Sequence, residues 1–153
     1  MAVSLTVEEG KSLMRQFCNF QERCHQDVRT KGLKLGFRGE ALEEIISEMI
    51  SEGLLDEERY ARSLARGKFR MNEWGRIKIK QALKMRSIPE YCINKAMNEI
   101  NEDEYLDTMK KLIEVKKSLM DYIDTPANKK KLVDYMLQKG YELNLVLSIL
   151  NVQ

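Results

Sequence analysis

Lys34-Leu35-Gly36-Phe37, Met85-Arg86-Ser87-Ile88 and Gln138-Lys139-Gly140-Tyr141 each close one helical stretch and open another. Gly36, Ser87 and Gly140 stand 51 and 53 residues apart, and a fixed period of that size marks repeated supersecondary units. Gly36 supplies a position after a helix end where a left-handed backbone is cheap. Only two prolines and eight glycines interrupt the 153 residues, which leaves long stretches free to be helix.

Outward from these turns the apolar spacing is helical. The first unit reads as helices from about residues 7 to 19, 25 to 35 and 39 to 52. Val7, Leu13, Met14 and Phe17 line the first, and Leu42, Ile45, Ile46, Met49 and Ile50 line the third. Asp56 is a good N-cap for a fourth helix to about Met71, with Tyr60, Leu64 and Met71 on one side. Trp74-Gly75 breaks it, and a fifth helix starts at Arg76 with Ile79 and Leu83 inward. Pro89 opens a sixth, whose face is Ile93, Ala96, Met97 and Ile100. The third unit has a longer first helix carrying Tyr105, Met109, Leu112 and Ile113. A looser stretch around Pro126 follows, then a helix from Lys129 to Gln138, then a last one with Leu143, Val146, Leu147 and Leu150. No strand signal competes. The expected architecture is all-α, an elongated tandem array of three three-helix repeats over residues 7–54, 55–100 and 101–153.

The repeats differ in charge. Residues 40–58 hold eight acids and no base, whereas residues 59–86 hold ten bases, Arg59, Arg62, Arg66, Lys68, Arg70, Arg76, Lys78, Lys80, Lys84 and Arg86, and one acid, Glu73. Arg59, Arg62, Arg66 and Arg70 fall opposite the apolar side of their helix, and Arg76, Lys80 and Lys84 form a second stripe. A merely solvated face would gain from acids placed four residues from bases. These stripes therefore read as contacts for phosphates or for an acidic protein surface. Phe69 and Trp74, close by, read as core or hinge anchors before they read as base-stacking platforms.

Other chemistries find little support. Gly10-Lys11-Ser12 lacks the earlier glycine and preceding strand of a phosphate-binding loop, position 5 being Leu5. Cys18, Cys24 and His25 lack a fourth ligand for structural zinc, so no metal is expected. With His25 the only histidine, no nucleophile has an evident base, and neither catalysis nor a cofactor is expected. The helix after the Ser87 turn carries Glu90, Lys95 and Glu99, a poor set for reading a major groove. No N-terminal run resembles a signal peptide, and no apolar segment approaches the roughly 20 residues that span a bilayer. A cytoplasmic protein with three reduced cysteines and no membrane partner is expected.

The segment Leu55-Asp56-Glu57-Glu58-Arg59-Tyr60-Ala61, with Trp74-Gly75, Ile79, Leu83, Arg86 and Ile88 after it, resembles the second repeat of the RecX family of bacterial recombination regulators. The resemblance covers about residues 12–150. Arg76 stands where that family usually has proline, Ser87 where it has glycine, and Gly32 where it has leucine. The resemblance implies a protein that lodges in the groove of a RecA–single-stranded DNA filament, and a monomer is expected. There it would restrain strand exchange, nucleotide hydrolysis and induction of the damage (SOS) response, without catalysis of its own. A sequence-independent single-strand binder with no recombinase partner is the alternative. In either case the ten bases are the expected contacts.

Overall fold

The computed structural model describes residues 4–151, so Val152 and Gln153 of the expected third repeat lie outside the described residues. Among the described residues there are nine helices and no strand. They are α1 (Val7–Phe20), α2 (His25–Lys34), α3 (Gly39–Ser51), α4 (Glu57–Asn72), α5 (Arg76–Met85), α6 (Glu90–Met97), α7 (Glu102–Leu119), α8 (Pro126–Gln138) and α9 (Leu143–Asn151). The all-α repeat array is as expected.

The three turns are one hydrogen-bonded device used three times. Phe37, Ile88 and Tyr141 donate their N–H to the carbonyls of Gly32, Leu83 and Met136, while Gly36, Ser87 and Gly140 donate to Leu33, Lys84 and Leu137. This pair of bonds is the Schellman closure, which satisfies carbonyls that a helix end leaves unpaired. The closing residue is left-handed in each, with φ of 97°, 58° and 97°. The apolar residue that follows, Phe37, Ile88 or Tyr141, turns into the core.

Two buried clusters result. Met14, Val28, Phe37, Leu42, Ile45 and Met49 form the first within α1–α3. The second runs without interruption from Tyr60, Ala65, Phe69, Ile79 and Ile93 to Tyr105, Met109, Leu132 and Tyr141, so α4–α9 share one core. Gly10 and Gly32 are small because neighbours fill their space: a methyl on Gly10 would meet the Phe37 ring at 2.5 Å, and one on Gly32 would meet Leu42.

Four sequence expectations change. Met71 is 85% exposed because α4 turns Ala61, Ala65 and Phe69 inward beside Tyr60. Ile50 and Leu143 are 46% and 48% exposed, each sitting at a helix end beyond the packed stripe. The eighth helix begins at Pro126 rather than Lys129, because Thr125 caps it by accepting from the Asn128 N–H at 3.2 Å and proline suits the first turn.

Buried titrating groups give the fold an alkaline limit. Cys18, Cys24 and Cys92 are free and buried, and burial pushes each thiol up. Burial pushes Tyr60 up to about 12 and raises Tyr105 and Tyr141 further, Tyr105 also through its bond to Glu142. Below about pH 8 the thiols and phenols are largely neutral folded and unfolded, so their contribution is fully present. Above it the unfolded chain ionises first and stability falls, by up to about 1.4 kcal/mol per pH unit for each such group. Urea midpoints measured from about pH 7 to 12 should be flat to about pH 8, fall as the unfolded thiols ionise, and drop more steeply above about pH 10 as the unfolded phenols follow. A flat profile throughout would mean that these groups are solvated.

Candidate nucleic-acid interface

The candidate surface is built around the break between α4 and α5. Asp56 starts α4 by accepting from the Arg59 N–H at 3.0 Å, and Glu73 ends it in a left-handed conformation with φ of 57°. The Trp74 N–H returns to the Lys68 carbonyl at 3.1 Å, so the chain doubles back on its last turn before α5 begins.

The start of α5 is held by the third repeat. The Gly75 N–H donates to the Lys139 carbonyl at 2.7 Å, the Arg76 N–H to the Tyr105 hydroxyl at 3.0 Å, and the Ile77 N–H to the Gly140 carbonyl at 2.9 Å. Three amides that a helix start leaves orphaned thus find partners across the junction. The Tyr141 hydroxyl adds a bond to the Glu73 carbonyl at 2.8 Å. Rings of Phe69, Tyr105 and Tyr141 stack beneath, with centroids 5.8 and 5.1 Å apart.

The ten bases divide into two groups. Arg59 bonds Glu22 at 2.5 Å and Arg86 bonds Asp27 at 3.1 Å, both across the junction with the first repeat. Arg62 meets Glu58 at 3.4 Å and Glu99 at 3.7 Å, and Arg66 meets Glu99 at 3.2 Å. Arg76, with its side chain 19% exposed, bonds Glu142 at 2.8 Å and Glu102, and lies 3.9 Å from the centre of the Tyr105 ring. Burial works against that guanidinium charge, but Glu142, Tyr105 and Glu102 together outweigh it and leave Arg76 above the usual arginine range.

Lys68, Arg70, Lys78, Lys80 and Lys84 carry no ion pair among the described residues. Lys68 and Lys78 lie over the Trp74 ring, at 4.7 and 4.4 Å from its centre. Arg70 and Lys84 are exposed, and Lys80 is half-buried. Phe69 is a core residue, 5% exposed, whereas Trp74 is half-buried and shared between core and surface.

The counting of acids inside residues 59–86 missed the partners of five bases because Glu22, Asp27, Glu58, Glu99, Glu102 and Glu142 lie outside that stretch. Glu58 alone was recognisable in advance, four residues before Arg62. The same count missed Lys139, which the junction brings to the end of α4, its Nζ 3.4 Å from the Asn72 carbonyl oxygen.

Among the described residues, no group of three or more histidine, cysteine or acidic side chains is placed to hold a metal ion. None of the described helices is long and apolar enough to cross a membrane.

Residues 56–97 match a family model described as RecX, second three-helix domain. The chain is 26% identical over 140 residues to the regulatory protein RecX of Streptococcus uberis, a match covering 92% of this chain and 54% of that protein. It is 28% identical over 129 residues to the regulatory protein RecX of Clostridium perfringens, covering 83% of this chain and 60% of the relative. The chain therefore spans little more than half the length of these relatives. A crystal structure of RecX from Lactobacillus salivarius superposes with a TM-score of 0.85 over 94% of both chains, at 19% identity, a likeness of fold.

Proposed function

From a chain that belongs to the RecX family of regulatory proteins, we propose a regulator that binds RecA–single-stranded DNA filaments in their groove and restrains them. It acts in the cytoplasm as a monomer, without catalysis of its own, and lowers strand exchange, nucleotide hydrolysis and the recombinase's part in the damage response. The observation that carries this reading is the set of bases on α4 and α5 with no carboxylate partner among the described residues, Lys68, Arg70, Lys78, Lys80 and Lys84. Cations with no carboxylate within reach are available to phosphate or to acidic recombinase side chains. Arg59, Arg62, Arg66, Arg76 and Arg86 would each exchange a protein carboxylate for the ligand and so contribute less.

The test is DNA-dependent nucleotide hydrolysis by the recombinase, with this protein added after filaments have formed. Inhibition well below the amount that coats the DNA is expected, and inhibition only at coating amounts would favour the sequence-independent single-strand binder. Arg70→Glu with Lys80→Glu should weaken inhibition about tenfold or more while helical content is unchanged. Full inhibition by that variant would place the contact on another face.

A further inference from the structure

The basic surface does not stop at the end of α5. Lys139 reaches the corner where α4 ends and also lies over the Tyr135 ring, 6.0 Å from its centre, and Lys116 of α7 lies over the same ring at 4.8 Å. On the other side of the corner, Lys68 and Lys78 lie over Trp74. The two halves are joined by backbone: Lys78 packs against Gly140, the residue after Lys139, so close that a methyl there would lie 2.7 Å from the Lys78 nitrogen.

None of these four ammonium groups meets a carboxylate among the described residues, although acids are near. Glu73 is engaged by Lys111 at 2.5 Å, Asp134 by Lys130 at 2.7 Å and Glu142 by Arg76 at 2.8 Å. The fold thus neutralises the neighbouring acids with other cations and leaves these four lysines with rings, and in Lys139 the Asn72 carbonyl, in place of a carboxylate. A solvated lysine face has no need of rings, and neither does a site for an acidic protein. Ammonium groups alternating with aromatic faces match a single nucleic-acid strand, whose phosphates need cations while its bases need surfaces to stack on.

We propose that Lys68, Trp74, Lys78, Lys139, Tyr135 and Lys116 form a contact track for single-stranded nucleic acid that crosses from the second repeat into the third. The track rests on the reading of the α4–α5 surface as a nucleic-acid interface and extends it to residues no sequence stripe contained. Its geometry depends on the Gly75–Gly140 junction, since that contact brings Lys139 beside Asn72 and Gly75.

Trp74 is the only tryptophan, so its emission reports on the track directly. The full chain would be titrated with a fluorescein-labelled single-stranded oligothymidylate, following anisotropy and Trp74 emission together. Binding should quench Trp74. Lys116→Gln with Lys139→Gln should weaken binding about tenfold at low salt and lower the slope of log affinity on log salt by about 1.4, the loss of two phosphate contacts. Lys34→Gln with Lys95→Gln removes the same net charge from exposed sites elsewhere and should change affinity less than about twofold. Binding that leaves Trp74 emission unchanged, or a Lys116/Lys139 variant that binds like the parent, would overturn the track. Failure to bind the oligonucleotide would overturn it as well. Retained inhibition in the filament assay would then assign the lysines to an acidic recombinase surface, leaving the regulatory reading intact.

Discussion

Gly140→Ala is expected to lower stability by about 3 kcal/mol or more, whereas Gly36→Ala, at the equivalent corner, should cost only about 1 to 2 kcal/mol. Both glycines have φ of 97°, so both substitutions carry the same backbone strain. They differ in surroundings. A methyl on Gly36 would meet nothing within 4 Å, whereas one on Gly140 would strike Lys78, at 2.7 Å from its nitrogen. The difference between the two variants therefore isolates the docking of the third repeat on α5. Gly75→Ala should behave like Gly140→Ala without the φ strain, because its methyl would overlap the Gly140 carbonyl and lie 2.5 Å from the Tyr141 nitrogen. Backbone cannot move aside as a side-chain tip can, so relief requires the junction to open. Thermal or denaturant unfolding of the three variants checks this. Equal losses for Gly36→Ala and Gly140→Ala would show that the junction contributes nothing.

Arg76→Ala is the second large expected effect, a loss of about 2 to 4 kcal/mol. The guanidinium bridges Glu102 and Glu142 and covers the Tyr105 ring, and the Tyr105 hydroxyl in turn donates to Glu142. Without Arg76, Glu142 keeps a largely buried charge answered by one phenol, and removing one member of such a pair costs more than the pair contributes. Arg76→Ala with Glu142→Ala should therefore cost less than the sum of the single losses, with a coupling of about 1 kcal/mol or more. Additive losses in denaturant unfolding would mean that the two side chains act independently. Arg76 also explains its own departure from the proline of the resembling family. Its N–H, which proline would lack, is the donor to the Tyr105 hydroxyl.

Most of the fold was legible because its signals are local. Each corner combines a small residue in a left-handed conformation, free of strain at Gly36 and Gly140 but not at Ser87, with an apolar residue that turns inward, and these residue types are visible in four consecutive residues. Misplaced core residues sit where periodicity ends before the helix does, as with Ile50 at the end of α3 and Leu143 at the start of α9. Met71 failed for a different reason: the last turn of α4 is packed, but its buried stripe runs through Ala61, Ala65 and Phe69 and leaves Met71 off it. The candidate surface was less legible. Counting charge along the chain located the bases, yet could not see that Glu99 approaches Arg62 and Arg66, or that Glu142 reaches back over 66 residues to Arg76.

The amino-acid sequence by itself determined nine amphipathic helices, three corners and the concentration of bases in the middle of the chain, since propensity, capping and periodicity act over a few residues. Only the tertiary structure decided which bases are spent on the protein's own carboxylates and which remain open. It also decided that the second and third repeats share one core and meet glycine to glycine. Ion pairs and close backbone approaches depend on distance in space, and a carboxylate far along the chain neutralises an arginine as fully as one four residues away.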